Sequence, residues 1–126
     1  MNIPENLKYT NDHEWVLVDG NTGTIGVTDY AQGELGDVVF IDIDPNLSDV
    51  KKGESVGTIE AVKTVSDMFA PFSGKVVEIN SNLSNNPEII NSDPYGEGWM
   101  LKIEISDPSE LNELLDAAGY KALIGQ

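Results

Sequence analysis

Apolar and polar positions alternate in short runs along most of this chain, and turn residues interrupt each run before it reaches the length of a helix. Glu14 to Val18 and Thr24 to Val27 are two such runs, separated by Asp19-Gly20-Asn21, and together they predict a β-hairpin. Val38 to Ile43 is apolar and β-branched. Asp44-Pro45-Asn46 ends it, because proline supplies no ladder donor and restricts the residue before it. Ser55 to Val62, Thr64 to Phe69, Lys75 to Ile79 and Met100 to Ile105 continue the series. Many short strands joined by polar turns predict a sandwich or a small barrel.

Helix signals come late. Asp107-Pro108-Ser109-Glu110 offers an N-cap aspartate, proline at the first helical position and glutamate at N3. Leu111, Leu114 and Leu115 then recur at helical spacing, as one core-facing side would. Asp116 to Leu123 predicts a second short helix, weakened by Gly119. Pro87 to Asn91 predicts a helical turn with Asn86 as its cap.

Composition narrows the function classes. A chain of 126 residues is long enough to bury about two-thirds of its unfolded surface, so residues 1–126 are expected to form a single domain without staples. Twenty-two acidic residues face seven basic ones, all lysine, for a formal charge of −15. Such a field repels phosphate backbones and anionic headgroups, which argues against nucleic-acid and membrane-surface roles. It serves solubility, and it also suits docking onto basic partners. With no cysteine there is no disulfide framework, cysteine zinc site or intrinsic thiol, so sulfur chemistry has to come on a cofactor. The first residues lack the basic start and apolar run of a secretory signal, and no segment has the length of a membrane span. The expectation is a bacterial-type cytoplasmic protein, or one of the mitochondrial matrix if a transit peptide has been removed.

Neither a catalytic residue nor a metal site is expected. His13 is the only histidine and has no second histidine or cysteine to share a metal with, so turn or packing use is its reading. Asp42 and Asp44 lie on one strand face but lack the glycine turn and distal glutamate of a calcium loop. Trp15, Tyr30, Phe40, Phe69, Phe72, Tyr95 and Trp99 could form an aromatic binding surface, but most of them read as core and cleft walls.

Lys63 lies where the runs 55–62 and 64–69 meet. Ala61-Val62-Lys63-Thr64 holds none of the Gly, Asn or Asp residues of the primed two-residue turns, so the tip needs a turn without positive φ, such as type I. By composition alone such a lysine is a solvated charge. The surrounding pattern of Glu60, Lys63 and Asp67, followed by Ala70-Pro71 and Ser73-Gly74-Lys75-Val76-Val77-Glu78-Ile79-Asn80, resembles the H proteins of the glycine cleavage system. The hairpin itself is similar to those of lipoyl-bearing and biotin-bearing domains. Lys8 to Val16, Gly26 to Gln32, Leu35 to Phe40, Asn91 to Trp99 and Asp107 to Leu111 extend the resemblance over nearly the whole chain.

That resemblance implies a mostly β, lipoyl-type barrel-sandwich hybrid with short helices, a lipoyl hairpin at about 55–79 and a C-terminal helical segment at about 107–124. It implies lipoate covalently attached to Lys63. The chain would carry the aminomethyl group of glycine from a pyridoxal-phosphate glycine decarboxylase (P protein) to a tetrahydrofolate-dependent aminomethyltransferase (T protein). Its dithiol would then pass to dihydrolipoamide dehydrogenase (L protein). Glu60 would guide the lipoate-attaching enzymes, and Glu14 and Asp67 would line the cleft that receives the loaded arm, where a carboxylate can hold a cationic amino group. Two alternatives remain open: a biotin carrier of a carboxylase, and a relay that donates lipoyl groups to other enzymes. Val62 and Thr64 stand where biotin carriers usually present methionines.

Overall fold

The computed structural model describes residues 2–126. In chain order the elements are β1 (Lys8–Tyr9), β2 (Glu14–Asp19), β3 (Thr22–Val27), α1 (Asp29–Leu35), β4 (Val38–Asp42), β5 (Asp49–Val50), β6 (Ser55–Ala61), β7 (Val65–Phe69) and β8 (Gly74–Ile79), then α2 (Asn82–Asn85), α3 (Ile89–Ser92), β9 (Leu101–Ile105), a 3-10 helix (Pro108–Glu113) and α4 (Ala117–Ile124). The strands make a six-stranded sheet, ordered β1-β2-β3-β9-β8-β5, and a three-stranded sheet, ordered β4-β6-β7. Every pairing is antiparallel.

Local chemistry explains the first hairpin. Asp19 pairs with Thr22, leaving Gly20-Asn21 as a two-residue loop, and Gly20 has the positive φ (60°) that a type II′ turn requires at its first loop position. The alternation then sorts the side chains: Val16, Ile25, Leu101 and Ile103 from the large sheet and Ile41, Ile59 and Met68 from the small one meet in a common core with Phe72. A second, smaller cluster forms where α4 packs on β1, with Tyr9, Trp15 and Tyr120 at its centre and the rings of Tyr9 and Tyr120 stacked at 4.7 Å. Reciprocal backbone bonds of 2.8 Å between Tyr9 and Leu115 hold that contact.

Several sequence expectations need correction. Asp107 caps as expected, accepting from the Ser109 N–H, but the helix it starts is a 3-10 turn that ends at Glu113. Glu110 does not return to its own cap; its carboxylate accepts from Ser73 N–H (2.8 Å) and Ser73 Oγ–H (3.1 Å), so a tertiary contact outcompetes the capping box. Leu111 and Leu114 pack on the main core whereas Leu115 packs on the smaller cluster, because the chain leaves the helix between them. The helical turn expected from Pro87 begins at Ile89 with Glu88 as its cap. Helix α4 follows Asp116 as predicted and stops at Gly125, whose φ of 78° is left-handed. The β6–β7 hairpin ends at Phe69, and β8 belongs to the other sheet, so the segment expected as a single lipoyl hairpin at about 55–79 spans both sheets. Helix α1 carries no counterpart among the sequence expectations, and it is the element that builds the site.

Candidate functional site

Lys63 stands at the tip between β6 and β7 and is exposed. No residue of the tip has a positive φ, as expected. Its bond, however, runs from Ala61 N–H to Thr64 C=O (2.9 Å), the opposite direction from the bond of a type I turn. Val62 N–H donates to Asp37 C=O (2.9 Å), which fastens the tip to the segment entering β4. Among the described residues the ion pairs are Lys52–Glu113 and Lys102–Glu78, so the Lys63 amine is free of any carboxylate.

The methylenes of Lys63 lie on Gly36, the residue that ends α1. A Cβ at position 36 would come within 3.2 Å of Lys63 Cγ and Cδ, crowding that side chain, and the Gly36 φ of 79° is the left-handed region that favours glycine. Helix α1 is set at its start by Thr28, whose Oγ accepts from Ala31 N–H (3.1 Å). At its end Asn91 donates to Gln32 Oε1 (3.0 Å) and to Gly36 C=O (2.9 Å), while its own Oδ1 accepts from Val38 N–H (2.8 Å). One amide thus ties α1, α3 and β4 under the lysine. Asn91→Ala is expected to cost about 1–3 kcal/mol, by leaving three part-buried partners unmet, and to lower the denaturant midpoint accordingly. An unchanged midpoint would show that the cradle is held by something else.

Beside α1 opens a cavity of about 290 Å³. Its walls are α1, the turn before β2 with Asp12, His13 and Glu14, and the inner part of the β6–β7 hairpin with Ser66, Asp67 and Met68. Lys63 rests on the C-terminal end of α1, and His13 lies against Tyr30 near its start, the two rings tilted by 40° with centroids 4.9 Å apart. A seven-residue helix is about 10 Å long, and α1 supplies Tyr30, Ala31, Glu34 and Leu35 to the cavity wall, so a chain extended from the Lys63 amine would need about that reach to lie back along α1 beside this cavity.

The cavity brings Glu14 and Asp67 together but places them differently. Asp67 is exposed, with Thr58 Oγ at 3.4 Å from its Oδ1. Glu14 is only 2 % exposed; its Oε2 accepts from Phe69 N–H (2.7 Å) and its Oε1 from Thr10 Oγ–H (3.0 Å). Burial pushes its carboxyl up to about 7, with a further push from Asp12, against the downward pull of those two hydrogen bonds. Of the two carboxylates expected to line the cleft, only Asp67 is therefore open to solvent. Glu14 also walls a second cavity of about 410 Å³ that reaches the Lys52–Glu113 pair.

Glu60 is exposed beside the tip, in register with Phe40 on one side and Val65 on the other. Phe40 is 49 % and Val62 72 % exposed, so the tip carries exposed apolar side chains beside Glu60 and the lysine. Phe40 is thus neither core nor cleft wall, a correction that the bulge between Val38 and Phe40 explains, since Val38 and Ile41 both take inward positions and Phe40 is turned outward between them. His13 does serve a turn, and it does so in a left-handed conformation (φ 66°) costing roughly 1–2 kcal/mol for a residue with a Cβ. Its Nδ1 lies 3.0 Å from Tyr120 Oη. Thr10, Gly36, Asn91 and Tyr120 are parts of the site that the sequence reading did not single out. Among the described residues no cluster of His, Asp and Glu has the arrangement of a metal site, and no helix is long and apolar enough to cross a membrane.

The family model described as "Glycine cleavage H-protein" matches residues 7–126. The glycine cleavage system H protein of Symbiobacterium thermophilum is 54% identical over 121 residues, 96% of this chain and 94% of that protein. That of Staphylococcus carnosus is 52% identical over 126 residues, covering all of both chains. Among solved structures, the glycine cleavage system H protein from Mycobacterium marinum superimposes with a TM-score of 0.89 at 38% identity, covering 98% of this chain and 100% of that one. The mostly β architecture with short helices and a C-terminal helix is the fold expected from the sequence.

Proposed function

The chain belongs to the glycine cleavage H-protein family, and on that premise we propose that it is the lipoyl carrier of a glycine cleavage system, with lipoate joined to Lys63 through an amide. The observation that carries this reading is the Lys63 amine, exposed and unpaired on a glycine cradle, at one end of a helix whose flank is a cavity able to take an extended arm. When bound, lipoate supplies a disulfide that accepts the aminomethyl group of glycine and is returned as a dithiol, so the hard chemistry is the cofactor's. The family match sets aside the biotin-carrier alternative.

The chain's own residues bind, orient and shield. Gly36 and the exposed apolar side chains at the tip direct the lysine outward, and Glu60, set between Phe40 and Val65, is the polar mark by which lipoate-attaching enzymes distinguish this hairpin. Glu14 and Asp67 receive the cargo's amino group in the cavity, where exclusion of water strengthens a charge-assisted hydrogen bond. The chain turns over nothing itself; it is a carrier subunit passed among the decarboxylase, the aminomethyltransferase and dihydrolipoamide dehydrogenase. Peptide mapping of protein from its own cell tests the assignment directly, because a lipoyl adduct on Lys63 is expected, and an adduct on Lys51, Lys52 or Lys75 with Lys63 bare would overturn it.

Docking is expected to use the acidic surface. The apparent Michaelis constant of the decarboxylase for this carrier should rise with salt, as the Debye length shortens to about 3 Å at roughly 1 M, chiefly through slower association. A Michaelis constant that ignores ionic strength would leave the charge of −15 to solubility alone.

A further inference from the structure

His13 is the only histidine in the chain and the only described residue other than glycine with a positive φ. Glycine or asparagine would take that conformation with less strain, so the backbone alone does not account for an imidazole at this turn. The ring is half-buried, tilted against Tyr30 (4.9 Å, 40°) and edge-on to Tyr120 (5.8 Å, 69°). Its Nδ1 is bound by Tyr120 Oη, which in turn lies 2.7 Å from Thr28 Oγ.

The direction of this chain of bonds follows from counting protons. Thr28 and Tyr120 are both fully buried. Thr28 Oγ already accepts from Ala31 N–H, and the partner left for its own proton is Tyr120 Oη. Thr28 therefore donates to Tyr120, and Tyr120 donates to His13 Nδ1. Run the other way, the chain would strand a buried hydroxyl proton without an acceptor. The neutral imidazole is thus held with its proton on Nε2, and that nitrogen has no hydrogen-bond partner among the described residues. His13 lines the arm cavity, whose other charged residues, Asp12, Glu14, Glu34 and Asp67, are all acidic.

We infer that His13 is the hydrogen-bond donor of the arm cleft, fixed as its Nε2–H tautomer by Thr28 and Tyr120 to hold a sulfur of the reduced arm as thiolate. This rests on the lipoyl reading of Lys63. An arm that starts at Gly36 and lies back along α1 brings its far end, where lipoate carries its sulfurs, to the level of Tyr30 and His13. Four carboxylates there would oppose a thiolate, and the imidazole N–H is the group placed to favour one. The amino group of the cargo and the sulfur beside it would then have separate partners, acidic residues for the cation and His13 for the anion. Tyr120 is a positioning residue, acting through the imidazole from the C-terminal helix.

Because there is one histidine, nitrogen-15 NMR of the imidazole reads it without assignment ambiguity. In the protein without lipoate, at a pH where the ring is neutral, Nδ1 should resonate as an acceptor and Nε2 as protonated; Tyr120→Phe should give mixed tautomers. A protonated Nδ1 in the parent would overturn the inference while leaving Lys63 lipoylation untouched. In the lipoylated protein, reduction of the arm by a small dithiol should move the Nε2 resonance. His13→Asn, which tolerates the left-handed turn, should still fold but melt below the parent, because the buried Tyr120 hydroxyl loses its acceptor, and should raise the titration midpoint of the arm thiol by about one pH unit, a tenfold loss of thiolate at neutral pH. Unmoved imidazole resonances on reduction, together with an unmoved thiol midpoint in His13→Asn, would overturn it. Failure of the carrier reading itself would show separately, as a Lys63 that takes up no lipoate by intact mass.

Discussion

Lys63→Arg is expected to unfold at the parent's denaturant midpoint and to carry no lipoate at all. The first half follows from the tip: Lys63 is exposed and enters no ion pair, and the contacts nearest Gly36 are made by Cγ and Cδ, which arginine also possesses. Surface changes of this kind stay within about 0.5 kcal/mol. The second half follows from the guanidinium, whose delocalised charge cannot be given up to make a nucleophilic amine that lipoate could acylate. No other lysine is placed to substitute. Lys52 is paired with Glu113, and Lys102 is paired with Glu78 with its ammonium over the Trp99 ring. Lys51, Lys75 and the rest lie off the hairpin tip. Glycine cleavage reconstituted with the variant should fall to the level seen without any carrier. Lipoate on the variant, at whichever lysine, would show that the hairpin is not what the attaching enzymes read.

Most of the longer strands were legible because short β-rich runs end at turn residues, although β2, with three buried positions followed by three exposed ones, and the bulged β4 do not alternate, and the two-residue β1 and β5 gave no signal of their own. Helix α1 was not legible, for a physical reason: seven residues with only Leu35 buried give no 3.6-residue period, and Gly33 lowers the propensity further. Its signals were two single residues, the Thr28 cap and the Gly36 stop, each ambiguous alone. Lys63 was legible through the pattern around it, whereas the burial of Glu14 ran against the usual exposure of carboxylates and is set by Phe69, 55 positions away. The His13–Tyr120 contact spans 107 positions and leaves no trace in local sequence. In general, the parts of the site that a strand or turn makes locally could be read, and those closed by α1 and α4 docking across the sheets could not.

Glu14→Gln is expected to reverse the sign of its stability difference from the parent between pH 5 and pH 8. In the folded protein burial holds the Glu14 carboxyl near 7, against an ordinary glutamate value of 4.5. A pKa raised by folding means that the native state binds the proton more tightly than the unfolded chain. The stability it brings is therefore complete below 4.5 and is lost as pH rises through about 7. Between pH 5 and pH 8 the parent should lose about 2–3 kcal/mol on this account, and glutamine, neutral throughout, should lose none of it. At pH 5 the variant should be the weaker by about 1 kcal/mol. Its carbonyl can still accept from Phe69 N–H, but its amide faces Thr10 Oγ, which already accepts from the backbone N–H groups of Asp12 and Glu14. At pH 8 it should be the stronger. Other titrating groups are common to both proteins and cancel in the difference, which denaturant unfolding at the two pH values measures. A difference that does not change with pH would show that Glu14 titrates as an ordinary carboxylate. The same burial that destabilises an empty, ionised Glu14 makes it a strong partner for a cation, since the cargo's amino group returns the charge that water has been denied. With Glu14→Gln and Asp67→Asn combined, losing that charge-assisted bond at about 1.5–3 kcal/mol should leave the loaded arm outside the cleft roughly ten to a hundred times more often. Formaldehyde release from isolated, aminomethyl-loaded protein should accelerate by the same factor, and equal rates in variant and parent would mean that the arm is sheltered without help from either carboxylate.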